Sequence, residues 1–205
     1  MLILSIDTSM PLFSVALVSG DALVAAYAAE GKSSRNEKLL PAIDWLLAEG
    51  GIARSALDLL AVTRGPGSFT GVRIGLATIQ GLAFALARPI AALSTHEAAL
   101  GDAPGASSLV FADAGRDEFY ATGFRGGVED LAPSLVTAAQ LDGLRGEYEE
   151  RIDLDFRIRR ENLALLAARR VQTLASRGAD LPHDATPIYV RLAEAEVRLL
   201  RKDDA

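Results

Sequence analysis

The residues best able to do chemistry sit at strand ends and in one glycine-rich turn. Asp7 closes the apolar run Leu2–Ile6. A carboxylate in that position holds Mg²⁺ through water, since hard cations favour oxygen ligands, or closes a turn by accepting from backbone N–H groups. Both roles are open for Asp7. The most distinctive segment is Arg64-Gly65-Pro66-Gly67-Ser68-Phe69-Thr70-Gly71-Val72-Arg73-Ile74-Gly75. Its glycines permit positive φ and close backbone approach. Ser68 and Thr70 are helix-capping types, and free N–H groups at such a helix start are able to hold an anion. No Gly-Lys-Ser/Thr follows at Walker spacing. A dinucleotide fingerprint fails at Thr70, and no acid lies near position 90 to hold a ribose. A structural turn and a phosphate cradle both remain open.

Metal and hydrolase signals are weaker. His96-Glu97 starts a zincin pattern, but the second histidine would stand at position 100, which is Leu100. His183 lies in a loop between prolines. Two histidines without cysteine or paired spacing make a poor transition-metal site, so His96 reads as a surface helix residue. The pairs Asp117/Glu118, Glu149/Glu150 and Asp153/Asp155 imitate a hydrolase dyad. They sit in polar stretches and read as solvated acids.

The elements that position these groups follow from composition and pattern. Half of the 205 residues are hydrophobic, which is enough for a sizeable core, and no cysteine is present. The net charge of −6 argues against a chain that grips nucleic acid unaided. Residues 1–150 hold 10 Lys/Arg against 18 Asp/Glu, whereas residues 151–205 hold 11 against 9. The basic end, with Arg157, Arg159, Arg160, Arg169 and Arg170, reads as a solvated helix face. The N-terminus lacks a basic n-region and a small-residue cleavage site. The longest apolar stretch, Ile74–Ala87, is interrupted by Thr78 and Gln80 and is short for a bilayer span. We therefore expect a cytoplasmic protein away from the membrane.

Strands are expected at Leu2–Asp7, Phe13–Val18 and Ala22–Glu30, the last two joined by a Ser19-Gly20-Asp21 hairpin. Ser34 and Glu37 have capping-box spacing, and Leu39, Leu40, Ile43, Leu46 and Leu47 share one helical face. Pro41 should kink that helix or delay its start. A strand at Leu57–Thr63 and a helix at Val72–Ala87 follow. The polar, glycine-containing stretch 101–108 suggests a boundary, giving lobes 1–103 and 104–205. Strands at Leu109–Asp113 and Phe119–Phe124 repeat the spacing of Asp7 and Phe13, a faint duplication. Residues 133–160 give no clear pattern, and Glu161–Arg177 reads as a helix. The outcome is an α/β fold with mixed sheets.

The Arg64–Gly75 segment resembles the signature of the TsaB (YeaZ) family. The opening Ile3-Leu4-Ser5-Ile6-Asp7-Thr8-Ser9, the run Arg35–Pro41, the stretch from Asp113-Ala114 to Glu118 and Tyr120, and Pro187-Ile188-Tyr189-Val190-Arg191 are similar to family segments in order and spacing. The family motif residues are Gly65, Pro66, Gly67, Ser68, Phe69, Thr70, Gly71 and Arg73. The resemblance implies a two-lobed actin-like (ribonuclease H-like) fold of the actin, sugar-kinase and heat-shock-chaperone superfamily. It implies a non-catalytic subunit that pairs with the larger, catalytic relative TsaD, and through it with the ATPase TsaE. The pair would transfer a threonylcarbamoyl group to the adenosine beside the tRNA anticodon, with tRNA reached only through the complex.

By the same resemblance this chain has no catalytic residue, cofactor or metal of its own. Asp7 and the Asp113-Ala114-Gly115 turn correspond to remnants of a superfamily ATP site. Thr95 and Ala99 stand where catalytic relatives carry metal-binding histidines. The alternative is a small ATP-dependent phosphotransferase or glycopeptidase-like hydrolase. The helix after the signature is apolar nearly all round, so it should be buried on more than one side. Ala77, Gly81 and Ala85 form a small-residue stripe that permits close helix approach. Either its own lobe covers the stripe, or it docks TsaD together with Leu39, Ile43 and Leu47. A homodimer through the same face is expected when TsaD is absent. Any tRNA contact within the complex is expected among Arg157, Arg159 and Arg160.

Overall fold

A computed structural model describes residues 1–30, 35–102 and 104–191. Ser34 of the expected capping box and the chain beyond residue 191 lie outside the described residues. The first strands, β1 (Leu2–Asp7), β2 (Leu12–Ser19) and β3 (Ala22–Glu30), form an antiparallel meander. Helix α1 (Arg35–Glu49) runs on through Pro41, so the proline does not delay its start. A short 3₁₀ turn at Arg54–Ala56 leads to β4 (Leu59–Thr63), which pairs parallel with β1. Helix α2 (Phe69–Leu86) begins three residues before the expected start, because Ser68 caps it. It ends at Ala87, whose φ of +51° turns the chain toward β5 (Ile90–Leu93), parallel to β4.

The first sheet has the order β3-β2-β1-β4-β5. After the short helix α3 (Thr95–Ala98), β6 (Ser107–Gly115), β7 (Glu118–Arg125) and β8 (Val128–Thr137) form a second antiparallel meander. Helix α4 (Ala138–Arg145), strand β9 (Glu150–Asp153), helix α5 (Leu154–Arg157) and helix α6 (Leu163–Ser176) follow among the described residues. With β9 parallel to β6, the second sheet has the order β8-β7-β6-β9. This repeats the first four strands of the first sheet, so the duplication suggested by Asp7/Phe13 and Asp113/Phe119 is a property of the fold. The expected α/β class of mixed sheets flanked by helices is the one observed.

Residues 133–160 give no clear sequence pattern for local reasons. Pro133 falls within β8, an edge strand where a missing N–H is tolerated. Helix α4 starts with a capping box between Thr137 and Gln140, a T-x-x-Q signal present in the sequence.

Both faces of β1, β2 and β4 in the first sheet are covered, which explains why these strands read as continuous apolar runs, while the apolar edge strand β3 stays largely exposed. On one face Leu4, Ile6, Phe13, Val15, Leu17, Leu60 and Val62 pack under α1 and α2. On the other, Ile3, Ala16, Val18, Leu59 and Ala61 pack with α6 and with Val110, Ala112 and Phe124 of the second sheet. The expected boundary at 103/104 therefore separates the sheets but not the helices. Helix α6 lies in the second segment of the sequence yet packs on β1, β2 and β4. Asn162 caps it through Leu165 N (2.9 Å) while its amide donates to the carbonyls of Val15 and Tyr27.

Candidate functional site

The signature turn is built from internal hydrogen bonds. Gly67 has φ +153°, and a Cβ there would lie 2.5 Å from the Ser9 carbonyl oxygen. That same oxygen accepts from Ser68 N at 2.7 Å. Gly65 has φ +98°, and a Cβ there would lie 2.6 Å from the Ile188 carbonyl oxygen. Both positions thus need glycine for conformation and for close approach. Ser68 Oγ accepts from Gly71 N at 3.2 Å, the expected cap; Thr70 is exposed. Two amides that a phosphate would need are thus satisfied within the protein, which favours the structural reading of the turn.

Asp7 belongs to the same construction. Fully buried, its Oδ1 accepts from Ser9 N (3.1 Å), Ser9 Oγ (2.5 Å) and Thr63 Oγ1 (2.5 Å). Thr95 Oγ1 donates to Ser9 Oγ (2.9 Å), and Thr95 N donates to Gly65 O (2.8 Å). The carboxylate therefore ties the ends of β1 and β4 to the start of α3 and to the turn. This is the turn-closing role of the two proposed for it.

A cleft of about 410 Å³ separates the lobes, lined by Ser9, Met10, Pro11, Gly67, Ser68, Ala112, Asp113, Ala114, Tyr120 and Asp155. Asp7 is not part of its wall. Asp113 Oδ1 accepts from Gly115 N (2.7 Å), and Asp155 Oδ2 accepts from Asp113 N (2.6 Å). Burial pushes the Asp155 carboxyl up, helped by the charges of Asp153 and Asp113 and opposed by that amide bond. Asp155 is therefore not the solvated acid expected. Two carboxylates with no Lys or Arg in the lining repel a polyphosphate.

His96 is a clear correction. It is fully buried rather than on a helix surface, with Nδ1 2.7 Å from Thr122 Oγ1 on β7. Burial lowers its pKa from 6.5 to about 3, so the ring is neutral at neutral pH. Beside it, Glu97 Oε1 lies 3.4 Å from the guanidinium of buried Arg170, which also donates to Gly127 O at 2.6 Å. Burial raises the Glu97 pKa and Arg170 opposes the rise. Thr95 and Ala99, expected from the resemblance at metal-ligand positions, are both fully buried. This corner fastens α3 and α6 to the second sheet. Among the other acid pairs, Glu118 is ion-paired with Arg191, and Glu150 accepts from Ser108 Oγ at 2.7 Å.

The expected docking set divides in two. Leu39, Ile43 and Leu47 are 1%, 1% and 5% exposed and belong to the core between α1 and the first sheet. They cannot form a surface while that core is intact. Only Leu40 and Trp45 of the large apolar residues on α1 face outward. Ala77, Gly81 and Ala85 are exposed, and Phe84 beside them is 92% exposed. The opposite face of α2, with Val72, Leu76, Ile79 and Ala83, packs in the core. Helix α2 is thus buried on one side, not several. Among the described residues it alone has the length and composition of a membrane span, and its inner face is occupied by the sheet.

Sequence separation hid one element. Residues 182–191 form a strap with no regular structure. Pro182 O accepts from Ala92 N on the β5 edge, and Ile188 N donates to Arg64 O at 2.7 Å. Arg64 Nη1 donates to Thr186 O at 3.0 Å, and Arg73 Nε donates to the Tyr189 hydroxyl at 2.9 Å. Arg191 then donates to Ala114 O at 2.7 Å in the second lobe. Both Gly65 and Arg73 of the signature therefore face this strap. Arg157 is ion-paired with Glu161 at 3.0 Å, while Arg159 and Arg160 are exposed, Arg160 over the Phe156 ring.

The family model described as "TsaD: tRNA N6-adenosine threonylcarbamoyltransferase" matches residues 30–157. Proteins of Bacillus subtilis and Haemophilus influenzae, each named "tRNA threonylcarbamoyladenosine biosynthesis protein TsaB", are 39% identical over 97 residues and 41% identical over 93. The matches cover 47% and 45% of this chain and 42% and 39% of those proteins, so they span less than half of either relative. YeaZ from Pseudomonas aeruginosa is 28% identical, with a TM-score of 0.67 over 92% of this chain and 99% of that one. The chain belongs to the TsaB (YeaZ) family. Within this TsaB-family chain, the signature turn is where β1, β4, α2, α3 and the strap meet. Gly65 and Gly67 are required by those contacts.

Proposed function

We propose that the chain is a non-catalytic TsaB-type subunit in the biosynthesis of threonylcarbamoyladenosine in tRNA, and that it docks on TsaD through the outward face of α2. The observation that carries this reading is the exposed apolar stripe of Ala77, Gly81, Phe84 and Ala85 on a helix whose other face is committed to the core. An exposed apolar face of this kind marks an interaction site, and small residues let a partner helix approach closely. The internally satisfied turn and the acid-lined cleft support a scaffold over a phosphotransferase. In this reading TsaE joins through the complex, and tRNA is reached only through it. The net charge of −6 supports that order. The complex is cytoplasmic and away from the membrane, and the same face of α2 supports a homodimer when TsaD is absent.

The experiment is to mix the purified chain with TsaD and TsaE from the same organism. A co-eluting complex by size-exclusion chromatography, and tRNA modification that requires this chain, are the expected results. Modification at full rate without the chain would overturn the reading.

A further inference from the structure

The outward face of α2 ends in a charge. Arg73 precedes Ala77 by four residues and so lies on the stripe of Ala77, Gly81 and Ala85. Its guanidinium carbon sits 3.8 Å from the centroid of Phe69 and 5.6 Å from that of Tyr189. The two rings are 4.8 Å apart, and Nε donates to the Tyr189 hydroxyl. Aromatic stacking and one hydrogen bond thus hold the group while its two Nη nitrogens remain at an exposed residue. Arg54, Arg64, Arg125, Arg145, Arg157, Arg170 and Arg191 each meet a carboxylate, whereas Arg73, like Arg88, Arg151, Arg159, Arg160, Arg169 and Arg177, meets none among the described residues. None of the ion pairs among the described residues involves Arg73, although the chain has more acids than bases.

We propose that Arg73, held by Phe69 and Tyr189, receives a carboxylate carried by the apolar helix that docks on α2, and so fixes the register of docking. This rests on the docking reading above and adds the chemistry of the partner. A planar guanidinium fork suits a carboxylate and loses little freedom when already stacked. Next to the apolar stripe the pair would be desolvated, where close charge pairs couple strongly, unlike exposed ones. The charge pattern also selects the occupant. Helix α2 contains neither Asp nor Glu, so a second copy laid α2 on α2 offers Arg73 no carboxylate. The occupant is a different protein with an acid at one end of an apolar helix.

The test measures affinity for TsaD by isothermal titration calorimetry, at low and high NaCl. Wild type, Arg73→Gln, Arg73→Lys and Ala77→Glu are compared, with thermal unfolding of each as a folding control. Arg73→Gln should weaken binding by about tenfold at low salt and flatten its salt dependence. Arg73→Lys keeps the charge without the fork, so it should keep the salt dependence and lose part of the affinity. If Ala77→Glu abolishes binding while Arg73→Gln changes neither affinity nor salt dependence, the carboxylate proposal falls and the docking face stands. If Ala77→Glu also binds like wild type, the docking reading falls and takes the proposal with it. A homodimer lost in Ala77→Glu, with TsaD binding unaffected, would assign the face to a second copy and overturn the proposal as well.

Discussion

Asp7→Ala separates a structural carboxylate from a chemical one. Removing it leaves Ser9 N, Ser9 Oγ and Thr63 Oγ1 without their shared acceptor, at a site with no solvent access. An orphaned buried donor costs about 1–3 kcal/mol. Taking the lower part of that range for three donors that relax together gives about 3–6 kcal/mol. Against a typical total stability of about 5–15 kcal/mol this is a large fraction. For a chain of this size about 1 kcal/mol moves the melting temperature by about 2–4 °C, so a fall of roughly 10–20 °C is expected. The assay is thermal unfolding followed by circular dichroism, with urea denaturation to obtain the free energy. Asp7→Asn retains a carbonyl acceptor in the same shape and should lose less. A metal-binding carboxylate would behave differently: both substitutions would leave the unfolding temperature within a few degrees of wild type, or raise it, and would abolish an activity. A small thermal shift for Asp7→Ala, together with ATP turnover by the wild type that the variant loses, would refute the reasoning.

Other outcomes follow from burial and charge. Ile43→Ala should cost about 2–5 kcal/mol of folding stability through its cavity, whereas exposed Ala77→Glu should shift unfolding by only a degree or two yet weaken TsaD binding about thirtyfold; calorimetry and thermal melts on both variants check the contrast. His96 has a folded pKa of about 3, below its unfolded 6.5. Its contribution is therefore intact above pH 6.5 and is lost as pH falls from there toward 3. At pH 5 the wild type should have lost about 2 kcal/mol relative to His96→Gln, read from urea denaturation at pH 7 and pH 5; equal losses in the two proteins would contradict this. The raised carboxyls of Glu97 and Asp155 act with the opposite sign, and the comparison between variants cancels them. The isolated chain should bind tRNA weakly near physiological salt, and submicromolar binding in a filter assay would contradict the expectation drawn from its net charge.

The sequence by itself determined what depends on neighbours along the chain. The first three strands appear at their expected places because apolar runs bounded by turn residues leave few alternatives. The signature turn was legible because Gly65 and Gly67 have local backbone requirements. The α/β class and the duplicated meander followed from strand spacing. The T-x-x-Q cap of α4 is present in the sequence, but Pro133 just before it masks the signal.

Only tertiary structure decided what covers each face. Helical periodicity grouped Leu39, Ile43 and Leu47 correctly, but the same stripe serves equally for a sheet beneath or a partner outside. The first sheet took it. Helix α2 is apolar nearly all round, so its sequence carried no sign of which side would be left exposed. His96 looked like a surface residue because its covering, Thr122 and the second sheet, lies elsewhere in the chain. Arg73 and Tyr189 are 116 residues apart, and Asp7 and Thr63 are 56 apart. Such pairs are set by how the sheets and the strap close on one another, and no local pattern encodes that closure.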